Sequence, residues 1–375
     1  MSEKKKVCIL QNGLSRGGTD TFVVNLCKYI DKACFEITVV NPSSKEGSRV
    51  REQEIIDSGA VIVHTSDFGK GMKSLWKHFR ILYILLRSEK YDVFHTNVDL
   101  FNGPQLFVAW LTGIPVRCCH SHNTMQQKSI VKGMTLSVHI YQTVMRWMCW
   151  TFSNRRTGCS EDAMNFLFEG KHWNTGKYPT IIYNGIDINA FRNLKDKITK
   201  KNSLGLTKRY NVLTVGRIIP QKNPQFIAQI FCEVSKMRDD IDLVWVGVGD
   251  LENECRKIIS NNKISDRVHF LGSRNDVNEI MQCCNAFILP SKFEGLGIVL
   301  IEAQAAGLPC LASDVIPELA NCGAVKYLAL NKTAKDWAVI ICDVIDEKIR
   351  LYLDTEKLQK FSVENMARQM EMVFS

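Results

Sequence analysis

One stretch, running from Leu289 through Pro-Ser-Lys-Phe-Glu-Gly-Leu-Gly-Ile-Val-Leu-Ile-Glu-Ala-Gln-Ala-Ala-Gly-Leu to Pro309, leaves the chain little choice of fold. The apolar run Ala286–Leu289 that leads into it reads as a buried parallel strand, and Pro290 and Ser291 stop that strand. Gly295 and Gly297 allow a tight turn that leaves main chain exposed. From Ile298 the pattern becomes helical until Gly307 and Pro309 end it. A strand, a glycine turn and a helix start make an anion site, because unpaired N–H groups and the helix dipole point at whatever docks there. Glu294 and Glu302 flank the turn, and ionised carboxylates accept charge-assisted hydrogen bonds from hydroxyl groups. A diphosphate with a hydroxyl-rich group on each side, the shape of a nucleotide-sugar, suits that layout.

The rest of the chain repeats the same unit. Strand candidates fall at Val7–Leu10, Glu36–Val40, Ala60–His64, Val93–Thr96, Val116–His120 and Arg156–Cys159, with helical stretches between them. That rhythm predicts βαβ units around a parallel sheet. After a lysine-rich segment, Asn193 to Arg209, a second series opens with Val212–Gly216 and continues at Asp242, Val268, Ala286 and Cys310. With 375 residues the chain has room for two domains. In the second, Gly216-Arg217 follows a strand and Lys222 stands five residues further on. Two cations at the end of a sheet strand can offset the charge of a departing diphosphate. Asp240-Ile-Asp242 has the spacing of a metal-binding D-x-D, but it lies at a strand entrance, away from the carboxyl ends, and reads as surface.

These motifs resemble the retaining GT-B glycosyltransferases of the large group 1 (GT4) family. The resemblance rests on Glu294-(seven residues)-Glu302 within F-E-G-L-G-I-V-L-I-E-A-Q-A-A-G-L-P and on V-G-R-I-I-P-Q-K-N-P. The glycine loop from Gly13 to Asp20, Thr157–Asp162 and Ile181–Asp187 are further landmarks. The glycine loop is neither a dinucleotide fingerprint nor a P-loop, since no Gly-Lys-Ser/Thr follows. The strand ending in Cys118-Cys-His-Ser-His-Asn123 is similar to a variant found among bacterial capsule and exopolysaccharide glycosyltransferases. The family carries a histidine after this strand, close to the donor's anomeric centre. Either His120 or His122 can fill that place, with His122 preferred, and period-two alternation lets both face one way.

The resemblance implies an α/β GT-B fold, two Rossmann-like parallel-sheet domains facing across a cleft. The expected divisions are 1–192 on the acceptor side, a linker over 193–209, a nucleotide-sugar domain over 210–354, and a helix over 355–375 crossing back to the first domain. It implies donor contacts from Gly18, Gly216, Arg217, Lys222, Ser273, Arg274, Glu294, Gly295, Leu296, Gly297, Ile298, Val299 and Glu302. The chemistry falls to Glu294, Arg217, Lys222 and one of the two histidines. No metal or other cofactor is expected to be required, and the nucleotide-sugar is a substrate. The expected activity is transfer of a hexose or N-acetylhexosamine, from a UDP-sugar by preference, to a glycan or polyprenyl-diphosphate-linked acceptor in cell-surface polysaccharide synthesis. Two rivals share the fold: a UDP-sugar 2-epimerase, and an idle GT-B protein acting as a partner.

Composition sets the remaining bounds. Hydrophobic residues at 45% and charged residues at 23% describe an ordinary globular chain. A net charge of +9 suits phosphates or anionic surfaces, but no aromatic-interleaved RNA motif appears, so nucleic acid is not an expected partner. Fourteen scattered cysteines without a C-x-x-C read as buried free thiols in a reducing compartment. Adjacent Cys118, Cys119 and His120 cannot form a tetrahedral zinc set. No run of ~18 apolar residues offers a membrane span. Two basic, aromatic-edged segments, Lys70 to Lys90 and Lys132 to Arg156, suggest peripheral contact with an anionic membrane. The expectation is a cytoplasmic chain that touches the inner face of the cell membrane.

Overall fold

The computed structural model describes residues 3–15, 17–44, 47, 49–67, 70–122, 136–174 and 176–375. The chain divides into two compact units, Met1–Gly185 with Phe361–Ser375, and Ile186–Lys360.

The first unit holds β1 (Lys5–Leu10), β2 (Phe35–Asn41), β3 (Val61–His64), β4 (Val93–Thr96), β5 (Val116–Ser121) and β6 (Arg155–Gly158). They pair in the order β3-β2-β1-β4-β5-β6, every pair parallel. The near-continuous apolar run of β1 follows from burial on both faces. Val7 and Ile9 pack with Phe22 and Leu26 on one side, while Cys8 and Leu10 pack with Leu82, Leu86 and Leu106 on the other. The first face is covered by the helices Gly18–Tyr29 and Val363–Phe374, the second by Met72–Glu89, Asn102–Leu111 and Leu136–Phe152.

The chain's end is broken where one helix was expected from Thr355 to Phe374. Asp354 caps a short helix, Thr355–Gln359, in the second unit. Ser362 then caps Val363–Phe374, whose Met366, Met370, Val373 and Phe374 are buried in the first unit's core. Each cap satisfies N–H groups that a continuous helix would have paired internally, so two good caps favour two helices. The lysine-rich segment 193–209 contains a helix of its own, Lys197–Ser203, capped by Asp196 and lying within the second unit.

The second unit holds β7 (Tyr210–Val215), β8 (Ile241–Val246), β9 (Val268–Phe270), β10 (Ala286–Leu289), β11 (Cys310–Ser313) and β12 (Val325–Leu328). The order is β12-β11-β10-β7-β8-β9, again all parallel. β12 was not expected; its Val-Lys-Tyr-Leu is a short edge strand without a clear apolar pattern. Asp242, expected at the surface, is buried at the start of β8 and held by the His269 Nε2 at 2.9 Å.

In both sheets the chain's direction of travel reverses beside the first strand, between β1 and β4 and between β7 and β10. Such switch points leave a crevice at the carboxyl ends of the strands, where open α/β sheets bind ligands.

Candidate active site

At the second unit's switch point, two loops from distant parts of the chain are joined. After β7 the chain passes Gly216 and Arg217 into a turn, Pro220–Lys222. After β10 it passes Ser291 and Glu294 into the helix Ile298–Ala305. The Lys292 N–H donates to the Gln221 carbonyl at 2.8 Å, and the Gln221 side-chain amide donates to the Phe293 carbonyl at 3.1 Å. Lys222 Nζ lies 2.6 Å from Glu294 Oε1, and the Ser291 hydroxyl donates to the same oxygen at 2.6 Å. The Ser313 hydroxyl, at the end of β11, donates to the Ser291 carbonyl at 2.5 Å. Glu294 is thus held by a cation, a hydroxyl and a pinned main chain, with 9% of its side chain exposed.

A close approach fixes the β7 and β8 ends. A Cβ on Gly247, whose φ is +135°, would stand 1.9 Å from the Gly216 carbonyl oxygen. No side chain fits there, so that glycine sets how far the Gly216-Arg217 loop is held forward. The Arg217 side chain is exposed and makes no ion pair or hydrogen bond among the described residues. Two cations thus serve the loop differently: Lys222 is engaged and Arg217 is free.

Gly297, at φ +77°, ends the glycine turn in the left-handed region and begins the helix without a side-chain cap. The N–H groups of Ile298 and Val299 therefore have no partner among the described residues and, with the dipole, favour an anion. One turn further, Glu302 is half-buried, and its side chain makes no hydrogen bond or ion pair among the described residues. Burial without a partner pushes its carboxyl up to about 7. Gly216 thus lies beside Lys222, Lys222 is paired with Glu294, and Gly297 lies beside Glu294, while Gly295 and Leu296 belong to the same turn and Glu302 to the helix that follows it. Ser273 and Arg274 follow β9, at the sheet's edge. Arg274 is already paired with Asp276 at 2.6 and 2.8 Å, and Asp276 also takes Lys200 at 2.5 Å.

In the first unit, β1 runs into the glycine loop, where Asp20 accepts from the Gln11 side chain, the Ser15 N–H and hydroxyl, and the Gly17 N–H. Gly18 opens the helix Gly18–Tyr29; Arg16 and Asn123 lie outside the described residues. His120 and His122 do face one way, their rings stacked at 4.4 Å and 19°, with Phe22 against both. His120 is fully buried, and its Nδ1 meets the Thr157 hydroxyl at 2.9 Å. His122 keeps some exposure; its Nε2 donates to the Asn97 side-chain oxygen at 2.9 Å. His95 sits 5.6 Å from His120 and closes the cluster. Burial holds all three well below the ordinary imidazole value, His95 and His122 at about 3, so the cluster is neutral. His122 Nδ1, His120 Nε2 and the Asn97 side-chain nitrogen are buried without partners among the described residues. Asn97 was not singled out from sequence, Ser291 was read only as a strand stop, and Thr157 only as the start of a landmark stretch. The signal available for Asn97 and Ser291 was a place just beyond the end of a predicted strand.

Among the described residues no three His, Cys, Asp or Glu side chains gather to hold a metal ion. All fourteen cysteines are free, ten of them buried.

Two doubly wound sheets, with a cation–carboxylate pair and an open helix start at a switch point, are the arrangement of a GT-B protein. Residues 16–190 match the Glycosyltransferase Family 4 model and residues 196–363 match Glycosyl transferases group 1, together nearly the whole chain. The protein belongs to the group 1 (GT4) glycosyltransferases. EpsF of Bacillus subtilis (strain 168), assigned as a glycosyltransferase, is 29% identical over 348 residues, 91% of this chain and 88% of that one. The UDP-Gal:alpha-D-GlcNAc-diphosphoundecaprenol alpha-1,3-galactosyltransferase of Escherichia coli is 30% identical over 256 residues, 66% of this chain and 62% of that one. The fold is shared with Anabaena HepE, solved in complex with UDP and glucose, at a TM-score of 0.74 over 98% of each chain and 18% identity.

Proposed function

We propose that this protein moves a hexose or N-acetylhexosamine from a UDP-sugar to a glycan or polyprenyl-diphosphate-linked acceptor, with retention of anomeric configuration, in cell-surface polysaccharide synthesis. The observation that carries the reading is the Lys222–Glu294 pair at 2.6 Å, set at the switch point beside an uncapped helix start and an unpaired Arg217. Arg217, Lys222 and the N–H groups of Ile298 and Val299 would hold the diphosphate. Glu302, a carboxyl with no partner among the described residues, would take the ribose hydroxyls. Glu294 would take hydroxyls of the transferred sugar, and His122, neutral and only partly exposed, is the histidine we assign to the reaction. Ser273 would lie toward the base, while Arg274 would have to leave Asp276 to join it. The UDP bound to HepE and the UDP-linked donor and diphosphoundecaprenol acceptor in the Escherichia coli enzyme's name support the substrate classes.

No side chain need attack. The bond from the anomeric carbon to the diphosphate oxygen breaks as the bond to the acceptor oxygen forms on the same face, and the departing phosphate oxygen takes the acceptor's proton. Catalysis is then positioning and stabilisation of the charge that develops on the leaving group. No metal has a role in this scheme.

Thermal-shift measurements with UDP, GDP, ADP and their sugar conjugates test the donor class, on the wild type and on Glu302→Ala. UDP at a hundred times its Kd should stabilise the wild type by about 2.7 kcal/mol and the variant far less. Release of UDP only when a lipid-linked acceptor is added would separate transfer from 2-epimerisation, and NMR of the product's anomeric proton reads retention. If no nucleotide stabilises the wild type, the donor site is wrong and an idle partner protein becomes the better account.

A further inference from the structure

Of the three clustered histidines only His122 keeps any exposure, yet both of its ring nitrogens are turned inward. Its Nε2 lies 2.9 Å from the Asn97 side-chain oxygen, and its Nδ1 is buried without a partner among the described residues. A neutral imidazole has one N–H and one lone-pair nitrogen, and an amide oxygen can only accept. The proton therefore sits on Nε2, and Nδ1 carries the lone pair. Asn97 is itself fixed. It is buried directly after β4, and its main-chain N–H donates to the Leu10 carbonyl at 3.1 Å. The ring it holds is stacked on His120 at 4.4 Å and meets Phe22 in a T-shaped contact at 5.2 Å.

The same geometry disfavours a charged ring. A second proton on His122 would create a buried N–H at Nδ1 with nothing to accept it among the described residues. A buried charge left unpaired in this way is costly. Among the described residues no carboxylate bonds to a ring nitrogen of His95, His120 or His122. Asp99 accepts the main-chain N–H of His122 at 3.3 Å, not the ring. Asp20, on the helix Gly18–Tyr29, is taken up by Gln11, Ser15 and Gly17. The Cys159 thiol, which burial pushes up to about 12 and so keeps uncharged, donates to the His122 carbonyl at 3.4 Å. His122 thus has an amide where a charged imidazole would need a carboxylate.

That choice of partner matters for glycosyl transfer. As the bond between the anomeric carbon and the diphosphate oxygen breaks, positive charge develops on the sugar. A cation within a few ångströms opposes that charge, and a neutral ring does not. A carboxylate behind the ring would favour the imidazolium, as in Asp–His pairs. We propose that Asn97 is a positioning residue for the transfer reaction: by accepting the Nε2 proton through an uncharged amide oxygen, it holds His122 neutral and in one tautomer. The inference rests on the reading that His122 serves the transfer, and goes beyond it by naming what sets that ring's protonation.

The test joins two measurements on the full chain: NMR with histidine labelled by the heavy nitrogen isotope, and UDP release. The release assay offers UDP-galactose, UDP-glucose and UDP-N-acetylglucosamine with a polyprenyl-diphosphate-linked acceptor. The His122 signals are assigned by their loss in His122→Gln. In the wild type they should report a neutral ring with its proton on Nε2, unchanged between about pH 6 and 8. Asn97→Asp should let the ring gain charge in that range, and its kcat relative to the wild type should rise at least about tenfold from about pH 6 to 8. Asn97→Ala removes the contact without adding charge, so it should mix the two tautomers and lower kcat with no such pH dependence. Unchanged circular dichroism and UDP affinity should show that the fold and donor site are intact in both variants. A wild-type ring protonated on Nδ1, or an Asn97→Ala ring still fixed as Nε2–H, overturns the role of Asn97. An Asn97→Asp ring that charges without moving the kcat ratio overturns it too, since neutrality would then not matter. If Asn97→Asp does not fold, the wild-type and Asn97→Ala spectra still decide. Full kcat in His122→Gln would instead remove His122 from the reaction, and a wild type that releases no UDP would overturn the transfer reading; the tautomer result stands apart from both.

Discussion

Glu302 offers a prediction in which stability and function move in opposite directions. Its carboxyl is half-buried with no donor to stabilise the ionised form, which pushes it from 4.5 to about 7. In that window the folded protein holds a proton that the unfolded chain has released, so unfolding free energy falls as pH rises. Below about pH 4.5 both states are protonated and the group is neutral in its effect; above 7 the native state carries the whole cost. Moving a carboxyl by that much corresponds to about 3 kcal/mol. Glu302→Gln keeps the shape, removes the titration, and should match the wild type near pH 5. At about pH 8.5 it should be the more stable protein, by up to about 10 °C in Tm for a domain of this size. The same substitution should abolish most of the stabilisation by UDP, because an amide cannot accept hydroxyl hydrogens as a carboxylate does. Differential scanning calorimetry of both proteins across that pH range, with and without UDP, reads all of this. Parallel pH profiles for variant and wild type would refute the account, since they would mean the carboxyl already has a partner or is well solvated.

The two cations should separate cleanly. Arg217→Ala removes an exposed, unpaired side chain, so Tm should stay within the equivalent of about 0.5 kcal/mol while kcat falls about a hundredfold or more. Lys222→Ala should lose activity and also about 3 kcal/mol of stability by urea denaturation, because Glu294 is left 9% exposed with its charge uncompensated. Equal stability losses in the two variants would contradict the structure. Gly247→Ala forces a Cβ to within 1.9 Å of a carbonyl oxygen at a φ of +135°, and should cost more than about 4 kcal/mol or prevent soluble expression. The histidine cluster should stay neutral, so NMR titration of the ring protons should show no imidazole of His95, His120 or His122 charging between about pH 5 and 8.

The sequence made some of this legible because the relevant physics is local. Strand, glycine turn and helix start lie within a dozen residues around Glu294, and the properties that matter there, an αL glycine and an uncapped helix, are written in neighbouring residue types. The same holds for the alternation that turns His120 and His122 to one side. Pairings across the sheet were not legible. Lys222 and Glu294 are 72 residues apart, and only the adjacency of β7 and β10 brings them together. Spacing alone could mark each as a candidate but could not say that one neutralises the other while Arg217 stays free. Asp242 shows the opposite error: its place at a strand entrance suggested a surface position, whereas the side chain is buried and paired with a histidine on the next strand. The end of the chain was misread because hydrophobic periodicity runs through Lys360 to Ser362, whereas the caps at Asp354 and Ser362 decide where hydrogen bonding restarts. Periodicity reports which face is buried; a cap reports where the backbone runs out of internal partners, and at a helix boundary the second outweighs the first.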